Sequence, residues 1–187
     1  MDTRPTRNNF NVNLFDLLLL QFGGSEGELP MAIAYLTQAT NENNANRKAT
    51  LVRIAREKIQ HADTLGSMLL QMVQGRTGPL SRRMDRNELN QVLAKQGVAN
   101  NNLDQATVSL EAFLGAEPVT SEARHYASDP RVYLSANILT EEKQIAAYER
   151  IAEITTDSNF LSALNYAKFR QIQHRDEFKD LLRRASN

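Results

Sequence analysis

The sequence predicts an all-α fold, a four-helix bundle in which a long crossover joins the second main helix to the third. The chain has 187 residues, no tryptophan and few other aromatic residues. Its apolar residues recur at steps of three and four, the spacing of one face of a helix. The clearest such stretch runs from about 47 to 73, and only Lys58 and His61 interrupt its apolar stripe.

The first part of the chain predicts a helix that is broken once. An apolar stripe begins at Leu14 and meets a glycine pair at 23–24. Each glycine weakens a helix by about 1 kcal/mol relative to alanine. Ser25 and Glu28 then have the spacing of a capping box. We therefore expect a second start there, with Glu28 at the upper end of the core-facing stripe.

Two more long helices are predicted in the second half of the chain. One runs from about 132 to 155, and Glu141 interrupts its apolar stripe. The other follows N-cap candidates at 156–158 and continues to about 184. Its stripe includes Gln171 and His174.

The domain organisation follows from the remaining segments. Residues 1–12 are polar and predict a flexible arm, and residues 13–187 predict a single domain. The stretch from about 76 to 131 has Gly-Pro, Asn-rich and Asp-Pro signals with two short amphipathic pieces, at 88–95 and 103–114. Neither piece could bury a core alone, so we read this stretch as the crossover.

Composition excludes several classes of function. Charge is balanced, with 22 basic and 22 acidic residues, so no nucleic-acid partner is expected. The absence of cysteine excludes disulfides, zinc–thiolate sites and thiol catalysis, and makes a cytoplasmic protein the default expectation. The longest apolar run, at 17–20, is far too short to span a bilayer, so no membrane partner is expected either.

Polar side chains interrupt the apolar stripes of all four main helical segments. They are Glu28, then Lys58 with His61, then Glu141, then Gln171 with His174. Four-helix carboxylate proteins bind a metal pair with a Glu from each of two helices and Glu-x-x-His from the other two. Residues three apart share a helix face, so each pair offers two ligands to one cavity. Such ligands suit manganese or iron, but neither Lys58 nor Gln171 is a good ligand.

Several stretches resemble the manganese catalases, a family of the ferritin-like superfamily. They are FGGSEGELPMAIAYLTQ at 22–38, IAREKIQHADTLG at 54–66, SDPRVYLSANILTEEK at 128–143, and 170–174 with the Phe178 that follows. The resemblance implies a ferritin-like fold and two manganese ions that disproportionate hydrogen peroxide into water and oxygen. It also implies a homo-oligomer, which is hexameric in that family.

The resemblance assigns roles residue by residue. Glu28 and Glu141 match carboxylate ligands, His61 and His174 match the histidine ligands, and Tyr35 matches a tyrosine that orients a ligand or relays a proton.

Two positions depart from the family pattern. Lys58 stands where the family has a glutamate that bridges both metals, and Gln171 stands where the family usually has a further carboxylate. Unit positive charges about 4 Å apart repel by roughly 4 kcal/mol at an effective dielectric near 20. Lys58 and a metal ion therefore compete for one space.

Alternatives remain open at several of these positions. Glu28 is equally well explained as a capping-box residue, and Glu142 could point inward in place of Glu141. Lys58 could pair with both carboxylates in a metal-free core, or be carbamylated to restore a bridging carboxylate. A local bulge could instead bring Glu57 into the vacant place. His125 has no motif around it and is expected at the surface.

Three functions follow as hypotheses. The first is peroxide disproportionation at a dimanganese site, with the four ligands above, Tyr35, Lys58 and Gln171 in the centre. The second is a metal-free or one-metal descendant that keeps the bundle for a structural or assembly role. The third is iron oxidation and storage, which the matched stretches favour less than the first.

Overall fold

The computed structural model describes residues 12–80, 86–95 and 129–186. Within these ranges the chain is helical and has no strand. The helices are α1 (Val12–Gly23), α2 (Glu28–Asn41), α3 (Ala45–Gln74), α4 (Arg86–Lys95), α5 (Pro130–Ile154) and α6 (Ser158–Ala185).

The four long helices α2, α3, α5 and α6 form the bundle. Helices α2 and α3 pack extensively on each other, as do α5 and α6, and α1 lies against α3 and α5. Three-residue connections join each of the two pairs, so the helices of each pair are antiparallel neighbours. The predicted all-α bundle is confirmed.

The predicted break between the first two helices is present, but the prediction of a capping box from Ser25 and Glu28 is wrong. The residue that caps α2 is Gly27, not Ser25, and no side chain caps this helix. Added β-carbons at Gly24 and Gly27 would lie 2.6 and 2.8 Å from the carbonyl oxygen of Leu20, so the turn is too tight for side chains there. Glu28 is consequently the first residue of α2, and its side chain points into the bundle.

Side chains cap the starts of the other three main helices. Asn44 accepts hydrogen bonds from two backbone N–H groups at the start of α3, and Gly75 ends that helix at a φ of 61°. Asp129 caps α5 and is followed by Pro130. Proline has no N–H group, and this costs nothing in the first turn, where backbone N–H groups have no partner within the helix. Asp157 caps α6, within the predicted range.

The apolar core consists of two clusters at opposite ends of the bundle. Along α3, Ile54 belongs to one cluster and Leu65 to the other. Lys58 and His61 lie between them on the same face. The interruption of the stripe therefore corresponds to a polar layer between two apolar ends.

The remaining predictions concern the crossover and the termini. The amphipathic piece at 88–95 is helical and belongs to α4, whose Leu89 is buried in the core. The piece at 103–114, His125 and residues 1–11 of the predicted arm lie outside the described residues. The prediction of a single domain from 13 to 187 stays a prediction. No helix in the described part of the chain is long and apolar enough to cross a membrane.

Candidate metal centre

The middle of the bundle contains a group of buried polar side chains, called here the polar centre. All four main helices contribute to it, and none of its members is more than 5% exposed. Its members are Glu28, Tyr35, Lys58, His61, Glu141, Gln144, Tyr148, Gln171 and His174.

The ammonium group of Lys58 lies at the centre of this group and is completely buried. Its Nζ atom is 3.0 and 3.2 Å from the two carboxylate oxygens of Glu141 and 3.4 Å from Oε2 of Glu28. It also donates to the amide oxygens of Gln144, at 2.5 Å, and Gln171, at 2.9 Å. A buried ammonium is tolerated when its donors are satisfied and its charge is balanced, and both conditions are met here.

Tyrosine and glutamine side chains hold the two carboxylates in place. Oε1 of Glu28 accepts hydrogen bonds from the hydroxyl of Tyr148 and from Nε2 of Gln171, both at 2.6 Å. Oε1 of Glu141 accepts one from the hydroxyl of Tyr35, also at 2.6 Å. Each carboxylate therefore has partners besides Lys58.

Both carboxyl groups are held in the ionised form. Burial alone would raise the pKa of Glu28, but the charge of Lys58 and the neighbouring His61 outweigh it and lower the pKa to about 2. The pKa of Glu141 is also lowered, because Lys58 and His174 offset its burial. The centre thus contains two carboxylates paired with one ammonium.

The two histidines lie on either side of the Gln171 amide group. Nδ1 of His61 is 3.3 Å from Nε2 of Gln171, and Nδ1 of His174 is 3.3 Å from Oε1 of the same amide. The imidazole rings are 6.2 Å apart between centroids. Since Lys58 donates to Oε1 and Glu28 accepts from Nε2, the amide has only one orientation that satisfies these neighbours.

Glu57 contacts the polar centre from outside, and the bulge considered above is absent. Helix α3 is continuous at this point, so Glu57 stays at the edge of the stripe. Its Oε2 atom is 2.8 Å from Nε2 of His174. Arg53 and Arg170 bind the same carboxylate at 2.5 to 2.8 Å. Glu57 therefore holds His174 and does not occupy the place of a bridging ligand.

The choice between the adjacent glutamates of α5 is also clear. Glu141 is completely buried, whereas Glu142 is exposed and pairs with Lys179 at 3.1 Å.

A carbamate on Lys58 would add a third negative charge beside Glu28 and Glu141. The geometry instead matches the ion-paired alternative, in which one ammonium is bonded to both carboxylates.

Sequence reasoning missed the polar roles of Gln144 and Tyr148. Both lie on the same face of α5 as Glu141, three and seven residues further on, which is the signal that could have found them. Nε2 of Gln144 also donates to the backbone oxygen of Glu26, at 2.7 Å. This bond ties the polar centre to the turn between α1 and α2.

The residues as arranged do not fit a metal pair. In the described ranges, no three His, Asp or Glu side chains are placed so that they could hold one ion together. The space between Glu28 and Glu141 is taken by the ammonium of Lys58, and a cation there would repel it at short range.

The long helices around buried carboxylates and imidazoles define the chain as a ferritin-like helical protein. Residues 3–187 match the family model described as "Manganese containing catalase". The chain therefore belongs to the manganese-containing catalase family, as the resemblance predicted.

Individual relatives agree with this membership. The chain is 23% identical over 170 residues to Protein CotJC of Bacillus subtilis (strain 168), covering 91% of this chain and 83% of that protein. A crystal structure of KatB, a manganese catalase from Anabaena PCC7120, matches with a TM-score of 0.58 and 23% identity over 100% of this chain and 80% of that one. A second, of wild-type KatB, gives 0.59 and 22% with the same coverage. At this identity the structural likeness shows the fold alone, and the ferritin-like fold is confirmed.

Proposed function

We propose that this chain is a metal-free member of its family, in which Lys58 replaces the metal pair and the bundle serves a structural role in an assembly. One observation carries the proposal. The completely buried ammonium of Lys58 is bonded to two carboxylates and two amide oxygens at the centre of the bundle.

The charges of the centre support this proposal. A glutamate that bridges two metal ions supplies a negative charge, whereas Lys58 supplies a positive one at the same position. Gln171 in place of a carboxylate removes another negative charge and offers its oxygen to the ammonium. Both differences weaken the attraction for metal cations and favour the buried lysine.

Peroxide disproportionation at two manganese ions is the second candidate. It is favoured by the four candidate ligands Glu28, His61, Glu141 and His174, which converge in the same buried centre. Tyr35 bonds to Glu141, as a tyrosine that orients a ligand would. This candidate requires Lys58 to leave its present position.

Elemental analysis with a peroxide assay separates the two candidates. The protein is purified from manganese-supplemented cultures, its manganese and iron contents are measured, and oxygen release from hydrogen peroxide is recorded on the same sample. We expect far less than one metal ion per chain and no oxygen release above that of heat-denatured protein. About two manganese ions per chain with oxygen release would favour the catalase, and iron uptake with mineral formation would favour storage.

We also propose that the chain forms a homo-oligomer in the cytoplasm, hexameric by family resemblance. Several large apolar side chains are exposed, and association between chains would remove them from water. They include Leu20, Val132, Leu139, Tyr166 and Phe169. Sedimentation equilibrium should give a mass about six times the 21.1 kDa of one chain. A concentration-independent mass of one chain would contradict the assembly role.

A further inference from the structure

A cavity of about 870 Å³ opens between α3 and the first half of α6 and reaches the polar centre. Its walls are mainly apolar and include Leu65, Met68, Leu80 and Leu164. At its inner end it meets His61 and Tyr148, which are 5% and 1% exposed. The volume lies in the range of pockets that hold small molecules.

His61 is the polar side chain that the centre presents to this cavity. Its Nδ1 atom faces the Nε2 group of Gln171, which is a donor because its own oxygen accepts from Lys58. Nδ1 also lies 3.5 Å from Oε1 of Glu28, but the Gln171 amide is the nearer of the two groups. We therefore take Nδ1 as the acceptor and place a hydrogen on Nε2. Nε2 has no hydrogen-bond partner within the described part of the chain. Because His61 lines the cavity, this donor is open to a ligand bound there.

The hydroxyl of Tyr148 does not offer a second donor at the inner end. It donates its hydrogen to Oε1 of Glu28 at 2.6 Å. A ligand that reaches this end therefore meets one hydrogen-bond donor, on His61, in apolar surroundings.

The charges around the cavity decide the class of ligand. No described residue that lines it is acidic, lysine or arginine, and its polar rim consists of neutral groups such as Gln60, Thr64, Asn159 and Ser162. A charged ligand would lose its hydration here without meeting an opposite charge. A neutral ligand with an apolar body loses little, and an oxygen acceptor on it would satisfy His61.

We propose that this cavity binds a neutral, largely apolar small molecule whose carbonyl oxygen accepts a hydrogen bond from Nε2 of His61. The inference rests on the metal-free centre proposed above, because a metal ion would engage His61 itself. The two proposals, the metal-free centre and the ligand site, can fail separately. Metal content is measured by elemental analysis, and ligand binding is measured by the NMR signals of the imidazole rings.

The test uses three small probes of nearly equal shape with the full chain. Acetophenone has the carbonyl group, ethylbenzene lacks it, and benzoate carries a charge. The chain has only three histidines, so ¹⁵N–¹H spectra of the imidazole rings can follow each one. We expect saturable binding of acetophenone that shifts the Nε2 signal of His61 and leaves that of His174 in place. Ethylbenzene should bind roughly two- to tenfold more weakly, as the loss of one hydrogen bond implies.

Matched variants locate the binding site. Ala163→Phe fills the cavity and should weaken acetophenone binding at least tenfold, whereas Ala146→Phe, at an exposed position on α5, should leave it unchanged. Thr64→Trp narrows the opening of the cavity from the α3 side and should also weaken acetophenone binding at least tenfold. It replaces Ala163→Phe in the test if that variant folds poorly. The proposal is overturned if acetophenone does not bind up to its solubility limit, if neither cavity variant weakens it, or if benzoate binds more tightly.

Discussion

Replacing Lys58 with methionine should lower the free energy of unfolding by about 3–5 kcal/mol at pH 7, the usual cost of removing one partner of a buried ion pair. Methionine has a similar length and no charge, so the change leaves Glu28 and Glu141 buried together without a cation. Urea unfolding of both proteins measures the difference. Lys48→Met is the matched control, because Lys48 is exposed on the same helix, and it should change stability by less than about 0.5 kcal/mol.

The loss of unfolding free energy caused by Lys58→Met should become smaller as the pH is lowered. In the native protein the pKa of Glu28 is lowered from an ordinary 4.5 to about 2. A carboxyl group whose pKa is lowered by folding stabilises the fold at pH values above its pKa in the unfolded chain. This contribution to stability is lost as the pH falls from about 4.5 towards 2. Without Lys58, the largest of the effects that offset burial is lost, so the pKa of Glu28 should be higher than in the native protein. The stability difference between the two proteins should therefore shrink as the pH is lowered through this range. A constant difference would contradict the ion-pair account.

Replacing Lys58 with glutamate should convert the centre into one that binds manganese. The change reverses the charge between Glu28 and Glu141 and leaves three carboxylates beside His61 and His174. Without metal, their mutual repulsion should destabilise the variant. A ligand at a thousand times its dissociation constant stabilises the folded state by about 4 kcal/mol. In a chain of this size we therefore expect manganese to raise the melting temperature by about 10 °C.

The native protein and a surface variant provide the controls for this change. Arg56→Glu makes the same reversal of charge at an exposed position on α3. Neither it nor the native chain should gain more than 1–2 °C from manganese. If the native chain gains as much as the Lys58→Glu variant, then Lys58 does not keep metal out, and the structural role loses its main support.

Much of the fold could be predicted from the sequence because the apolar stripes are long and regular. The main helices were placed to within a few residues, and the same periodicity indicated that Glu28, Lys58, Glu141 and Gln171 face inward. The stripes carry this information because burial on one helix face fixes side-chain direction.

Other features could not be predicted, because they depend on contacts between helices. The cap of α2 is set by the close approach of Gly24 and Gly27 to Leu20, which no local pattern reveals. The contact from Glu57 to His174 crosses from α3 to α6 and depends on how these helices pack. The hydrogen bond of Tyr148 was hidden because the residue fits an apolar stripe.

The most direct measurement is anomalous diffraction at the manganese absorption edge, from crystals of the native protein grown with manganese. The account predicts no anomalous peak between Glu28 and Glu141, and electron density for Nζ of Lys58 within hydrogen-bond distance of both. Two anomalous peaks about 3.5–4 Å apart at that position, the separation of a two-metal site, would contradict it.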